Sequence, residues 1–116
     1  MKFQPSKLEP VLITIDGVEY PAKLTFRGLA EIEELFGMGF FKVFEKFSQQ
    51  DITVSELISI LYIMLKCGGV EVDKEDLNEI EFSVGIIDSM SQVLSRANKV
   101  NSLLQDKKTT GKKKKK

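Results

Sequence analysis

Residues 11–24 read VLITIDGVEYPAKL and decide the first part of the fold. Two β-prone runs flank Asp16-Gly17, and an Asp-Gly pair between such runs is the strongest short-range signal for a β-hairpin, because both turn positions need a positive φ. Pro21 has no N–H for a strand ladder, which predicts a free edge on the second strand there. A two-stranded hairpin is marginal in water by itself, so it must pack on helices or on another chain.

Helical signals follow the hairpin. Thr25 fits an N-cap and Gly37 fits the C-terminal stop of the first helix. A capping box, Thr53-Val54-Ser55-Glu56, precedes a run that is apolar nearly all round to Leu65, which is typical of a central, buried helix. The pattern predicts helices over about residues 26–36, 40–49 and 53–65, a short one from about Asp73, which can act as its cap, and a long one over about 83–105. The apolar face of the first helix comprises Leu29, Ile32, Leu35 and Phe36.

The charges divide the chain into two parts. Residues 1–106 hold ten Lys and Arg against all seventeen Asp and Glu, a difference of −7, and the remaining seven lysines bring the formal charge to zero. Blocks of like charge repel each other and stay disordered. We therefore expect one globular domain over residues 1–106 and a disordered lysine-rich tail over 107–116. The expected fold class is α+β, mainly helical, with an N-terminal β-hairpin followed by four or five helices in a compact bundle. The terminal run comprises Lys112, Lys113, Lys114, Lys115 and Lys116.

The residue inventory argues against catalysis. The chain has no His, so the usual general base near neutral pH and the commonest metal ligand are both missing. Cys67 is the single cysteine, which excludes an internal disulfide, fits a reducing cytoplasm, and is expected to act as a small buried hydrophobe. The longest apolar run, residues 57–65, is far short of the roughly 20 residues that span a bilayer. We expect no enzyme activity, no cofactor, no metal site and no membrane span.

Apolar side chains are the best candidates for binding a partner. Phenylalanines are concentrated in the second helix, and the fifth helix carries an apolar stripe with a spacing of three to four residues. Such stripes usually fill a core, and that interpretation stays open beside the interpretation as a binding surface. The candidate partner-binding residues are Phe40, Phe41, Phe44, Phe47, Val93, Leu94, Val100 and Leu104.

The whole pattern resembles the tail assembly chaperones of long-tailed phages and gene transfer agents. The resemblance rests on the hairpin opening with Asp-Gly and Tyr20, on the run LTFRGLAEIEELFG over residues 24–37, and on the helix opening at residues 55–61. It covers roughly residues 10–70. It implies a non-catalytic protein that binds and solubilises the tape-measure protein until tail-tube subunits polymerise, acts as a homo-oligomer in the host cytoplasm, and is absent from the mature virion.

The resemblance also gives the lysine run an interpretation. Such chaperones are commonly made in two lengths, the longer one by ribosomal frameshifting on an A-rich stretch. The residues from Gly111 onward can be encoded by GG followed by a run of A, so this chain is expected to be the short, unshifted form. A solubilising addition or a solvated native end explains the lysines equally well.

Two alternatives from other classes stay open. One is a structural tail or head–tail connector component, although such proteins usually contain more β structure than this sequence predicts. The other is a small nucleic-acid-binding regulator that acts through the lysines. An acidic body with no basic helix face and no aromatic residue in the tail makes specific nucleic-acid binding unexpected.

Overall fold

The computed structural model describes the backbone of residues 9–114 and the side chains of residues 9–99. The described chain is an α+β fold, mainly helical, in which a two-stranded antiparallel hairpin precedes five helices. The elements are β1 (Val11–Ile15), β2 (Val18–Ala22), α1 (Phe26–Phe36), α2 (Phe40–Ser48), α3 (Val54–Cys67), α4 (Lys74–Leu77) and α5 (Val84–Lys114). The predicted fold class is therefore confirmed.

The hairpin turn is formed by the Asp-Gly pair. Asp16 has φ of 54° and Gly17 has φ of 82°, so both turn residues lie in the left-handed region that a two-residue hairpin requires. Ile15 pairs with Val18, and the register continues to Val11 opposite Ala22. A short polar turn thus sets the pairing of both strands.

The hairpin packs on the chain's own helices. Strand β1 lies beside α5 and β2 lies beside α3. Ile13 is fully buried and Ile15 is nearly so, while the alternate residues Leu12 and Thr14 are exposed, as the period of two in a strand requires. This packing supplies the support that two isolated strands lack.

Within the described residues, no second strand pairs with the outer edge of β2, as predicted from Pro21, but a helix end covers this edge. The end of α3 lies against it: the backbone N–H of Lys23 donates to the carbonyl oxygen of Met64 at 3.2 Å, and Gly68 lies against the Pro21 backbone. Proline is tolerated here because its missing donor faces a helix end instead of a strand. The contact between a helix end and a strand edge connects residues far apart in sequence, which local patterns do not report.

Helix α3 is the central helix, as predicted. Its capping box is complete: the Thr53 hydroxyl accepts from the Glu56 N–H at 3.1 Å, and the Glu56 carboxylate accepts from the Thr53 N–H at 2.9 Å. Ile60, Met64 and Leu65 are almost completely buried. They belong to one buried hydrophobic cluster, in which Leu61 and Ile63 of the same helix pack with residues of the other elements: Ile13, Ile15, Ala22, Ile32, Phe40, Val43, Leu77, Ile86, Met90, Val93 and Leu94.

Helices α4 and α5 differ from their predictions in detail. Asp73 is the N-cap residue of α4, the position predicted for it, but its side chain makes no cap hydrogen bond. Helix α5 begins where predicted, with the Ser83 hydroxyl accepting from the Ile86 N–H at 3.2 Å, but it continues past the predicted end at residue 105 to Lys114. The division into a domain over 1–106 and a tail over 107–116 stays a prediction.

Candidate partner-binding surface

The turn between α1 and α2 is a helix–helix corner closed by one glutamate. Gly37 ends α1 with φ of 68°, and its N–H donates to the Glu33 carbonyl at 2.8 Å. The Glu33 carboxylate then accepts the N–H of Phe40 at 2.8 Å, so the same residue ends one helix and caps the start of the next. The corner is therefore held by hydrogen bonds and not only by packing.

We expect Glu33→Ala to lower the free energy of unfolding by about 1 kcal/mol, because the first N–H of α2 loses its acceptor. Glu34→Ala is the matched control, since Glu34 is an exposed neighbour on α1. Urea denaturation followed by circular dichroism measures both variants. Equal stability of the two variants would contradict the capping role.

The corner leaves two large apolar side chains partly exposed, one on each side of the turn. Leu35 at the end of α1 is 48% exposed, and Phe41 at the start of α2 is 46% exposed. Phe36 and Met38 between them are half-buried and pack against the core. We call Leu35, Phe36, Met38 and Phe41 the α1–α2 corner surface. On this surface, one apolar side chain of α1 and one of α2 are partly exposed on the two sides of a short turn.

The predicted aromatic candidates separate by their burial. Phe40 belongs to the core, and its ring centroid lies 6.5 Å from that of Phe44. Phe44 and Phe47 are half-buried against the same core, which leaves Phe41 as the candidate on α2 with substantial exposed surface. The core interpretation thus describes Phe40, while a partner-binding role for Phe41, Phe44 and Phe47 stays a prediction.

The candidates on α5 lie in two regions. Val93 and Leu94 are buried in the core and offer no surface in this fold. Val100 and Leu104, like the terminal lysines, lie outside the residues whose side chains are described. Their partner-binding role stays a prediction.

The sequence pattern did not predict that Leu35 is exposed. Leu35 was predicted to share the buried face of α1 with Ile32, yet Ile32 is fully buried and Leu35 is half exposed. Only Phe36 separates Leu35 from the turn at Gly37, and about half of the Leu35 side chain stays exposed there. Its place one residue before the last residue of α1 was the available signal.

Two shallow surface grooves lie away from the corner. One lies between β1 and α5, and the other lies between the end of α3 and α4. The first is lined by Val11, Asp88, Ser91, Gln92, Ser95, Arg96 and Lys99. Among side chains 9–99, no group of three or more His, Cys, Asp and Glu is placed to hold a metal ion. None of the helices in the described range has the length and hydropathy of a membrane span.

Cys67 lies at the α1–α3 contact. Its Sγ is 3.4 Å from the Thr25 hydroxyl oxygen, and the side chain is half-buried, less than the full burial that the sequence predicted. The thiol therefore packs beside the cap of α1 and keeps part of its surface in solvent.

Comparison with known proteins identifies the family to which the chain belongs. A family described as "Phage tail tube protein, GTA-gp10" matches residues 10–99, which take in the hairpin, α1–α4 and the first part of α5. No curated protein and no solved structure shows a significant match. The family match supports a connection to phage tails and leaves the more specific chaperone role as an expectation. The chain thus belongs to the family described as "Phage tail tube protein, GTA-gp10" and is a phage tail-related protein.

Proposed function

We propose that this protein is a non-catalytic tail assembly chaperone that binds and solubilises the tape-measure protein while the tail is built. The observation that carries the proposal is the α1–α2 corner surface, where a hydrogen-bonded turn presents Leu35 and Phe41 to solvent. Membership of a phage tail family supports the setting. Exposed apolar side chains beside exposed charged residues fit an amphipathic client helix that packs its apolar face against them.

The size of the corner surface suits reversible binding. Leu35 and Phe41 each have about half of their surface left to bury, and covering both would contribute about 2 kcal/mol. A single corner therefore binds weakly. A long client with repeated apolar segments engages several copies at once and gains affinity through multivalency. Weak individual contacts also allow tail-tube subunits to displace the chaperone.

The proposal includes the place and form of the protein. It acts in the host cytoplasm and is absent from the mature virion. The lysine run beginning after Gly111 is read from an A-rich slippery sequence, so this chain is the short, unshifted product of a frameshifted pair. Sequencing the gene and searching infected cells for a longer product that shares residues 1–110 tests this part.

The decisive experiment is co-expression of the full chain with the tape-measure protein of the same genome. We expect the tape-measure protein to be soluble only when the full chain is co-expressed. Adding tail-tube subunits should then release the chain from the tape-measure protein. The double variant Leu35→Ser with Phe41→Ser should reduce the soluble fraction at least about fivefold, because it removes about 1–2 kcal/mol per corner over several corners.

Phe26→Ser is the matched control, because Phe26 is 86% exposed and lies away from the corner at the start of α1. Client solubility equal to that with wild type is expected for this control. If the double variant rescues the client as well as wild type does, the corner is not the binding surface. If purified virions contain the chain in stoichiometric amounts, it is a structural tail component and the chaperone proposal fails.

A further inference from the structure

Strand β1 has one edge paired with β2 and a second edge that no strand pairs in the described part of the chain. The two-residue turn makes Ile15 and Val18 the first hydrogen-bonded pair, and bonded pairs alternate with non-bonded pairs along an antiparallel ladder. The odd-numbered residues of β1 therefore bond to β2. Leu12 and Thr14 instead direct their N–H and C=O groups away from β2, to the outer edge of β1.

These outward backbone groups have no protein partner among residues 9–99. No backbone or side-chain hydrogen bond within that range reaches Leu12 or Thr14 from the outer edge. Leu12 is 49% exposed, and Thr14 is exposed as well. The outer edge of β2 differs, since the end of α3 covers it and accepts the N–H of Lys23. An open strand edge with an exposed apolar residue is a template for pairing with a further strand.

A polar groove runs beside this edge, between β1 and α5. Val11, which lines the groove, lies on the same face of β1 as the buried Ile13. The facing side chains of α5 are polar, and the charged ones are two cations, Arg96 and Lys99, and one carboxylate, Asp88. Side chains alternate between the two faces of a strand, so a strand added to β1 would direct every second side chain toward this groove. The groove therefore favours polar side chains, and carboxylates most of all.

Arg96 also holds the chain that leads into β1. Its Nη1 donates to the carbonyl oxygen of Glu9 at 2.7 Å. A guanidinium has five N–H donors, so the others remain available for a carboxylate. Because the hairpin is packed on α3 and α5 and its entry is held by Arg96, the edge is formed before any partner arrives. Only the partner strand has to lose conformational freedom on binding.

We propose that the outer edge of β1 binds an extended, acidic segment of another protein, which adds a third strand to the hairpin. Antiparallel addition pairs the outward N–H and C=O groups of both Leu12 and Thr14. The bound segment alternates carboxylates, which face Arg96 and Lys99, with apolar side chains beside Leu12.

Two observations select this occupant. The unpaired backbone groups require an extended peptide, because the peptide groups inside a helix are bonded to each other. The cations of the groove select its acidic face. This site is therefore separate from the α1–α2 corner surface and from its helical client.

Hydrogen exchange of the β1 amides, measured by NMR on the full chain, tests the edge. Without a ligand, we expect Leu12 and Thr14 to exchange at least about 100-fold faster than Ile13 and Ile15, whose N–H groups bond to β2. The probe is an acetylated and amidated peptide of about seven residues in which valine alternates with glutamate. Saturation with this probe should slow the exchange of Leu12 and Thr14 by at least about tenfold.

Thr14→Pro removes one outward donor and leaves the ladder to β2 intact, as Pro21 does on the other strand. We expect it to weaken binding of the probe by at least about tenfold, because one hydrogen bond is lost and the proline ring obstructs the edge. Glu19→Pro is the matched control, since Glu19 is the partner of Thr14 on β2 and its N–H points away from β1. It should bind the probe like wild type. Circular dichroism checks that both variants fold.

Modified probes test the contact on the unaltered protein. A probe methylated on every second backbone nitrogen, the set that faces β1, has lost these donors and should not bind. A probe with lysine in place of glutamate should bind at least about tenfold more weakly, because it brings cations to Arg96 and Lys99. Lys99→Glu should reduce this difference between the two probes, whereas Lys42→Glu, at an exposed position on α2, should leave it unchanged.

Other outcomes overturn the proposal. Slow exchange of Leu12 and Thr14 without a probe would mean that the edge is already paired. If deletion of residues 1–8 then exposed it, the occupant would be the chain's own N-terminal segment, and if dilution exposed it, a second copy. Equal binding of the methylated probe excludes strand addition, and equal binding of the lysine probe excludes an acidic partner. No tape-measure protein is present, so failure here leaves the chaperone proposal standing.

Discussion

Gly68→Ala is expected to lower the free energy of unfolding by about 3 kcal/mol, a large part of the total for a domain of this size. A Cβ at this position would overlap the carbonyl oxygen of Pro21 and lie 2.7 Å from its carbonyl carbon and 3.1 Å from the Cα of Ala22. These are backbone atoms, so no side-chain rotation relieves the overlap. The end of α3 would have to move away from β2 and weaken the hydrogen bond from Lys23 to Met64.

Urea denaturation monitored by circular dichroism measures this effect, and Gly85→Ala is the control. Gly85 lies in the first turn of α5 and only the Ser83 hydroxyl, at 3.9 Å, approaches its Cβ position, so the same chemical change should stabilise the protein by about 0.5 kcal/mol through helix propensity. Opposite shifts of the two denaturation midpoints are the expected result. A Gly68→Ala protein as stable as wild type would mean that the end of α3 does not lie in close contact with the β2 backbone.

Leu94→Ala is expected to lower the free energy of unfolding by about 3 kcal/mol, because the side chain is fully buried and its removal leaves a cavity between α5 and the rest of the core. Leu94 was one of the residues that the sequence suggested for partner binding. If it is only a core residue, the folded fraction of the variant should rescue the tape-measure protein as well as wild type does, once both are compared at equal concentrations of folded protein.

Phe41→Ala is the paired variant, and we expect it to reduce client rescue while changing stability less than Leu94→Ala does. Phe41 is about half exposed, so its truncation should cost less than about 1.5 kcal/mol of stability and reduce client rescue instead. Thermal unfolding and the co-expression assay together separate the two roles. Loss of client rescue by folded Leu94→Ala would contradict the assignment of Leu94 to the core alone.

The sequence predicted the elements well because their signals are local. The Asp16-Gly17 turn, the Thr25 N-cap and the complete capping box at Thr53 and Glu56 each depend on residues at most three positions apart. The Gly37 stop and the Ser83 start of α5 belong to the same class. A pattern of this kind has the same meaning in any fold, so the hairpin and the helices could be predicted without knowing how they pack.

The candidate binding surface was predicted only in part, because exposure depends on the neighbours. Helical spacing placed Phe40 and Phe41 in the same helix but did not say that Phe40 enters the core while Phe41 stays half exposed. It assigned Leu35 to the buried face of α1, although the folded chain leaves about half of this side chain exposed. Which side of each helix meets another element is decided by contacts between residues distant in sequence.

By itself, then, the sequence determined the order and type of the elements, the acidic body with its cationic end, and the absence of histidine chemistry. The tertiary structure alone decided that α3 covers the edge of β2 through Gly68, that Leu94 is core, and that Leu35 and Phe41 face solvent at one corner. The physical reason is the range of the interactions: turns and caps are closed within a few residues, whereas burial requires the packing of the whole domain.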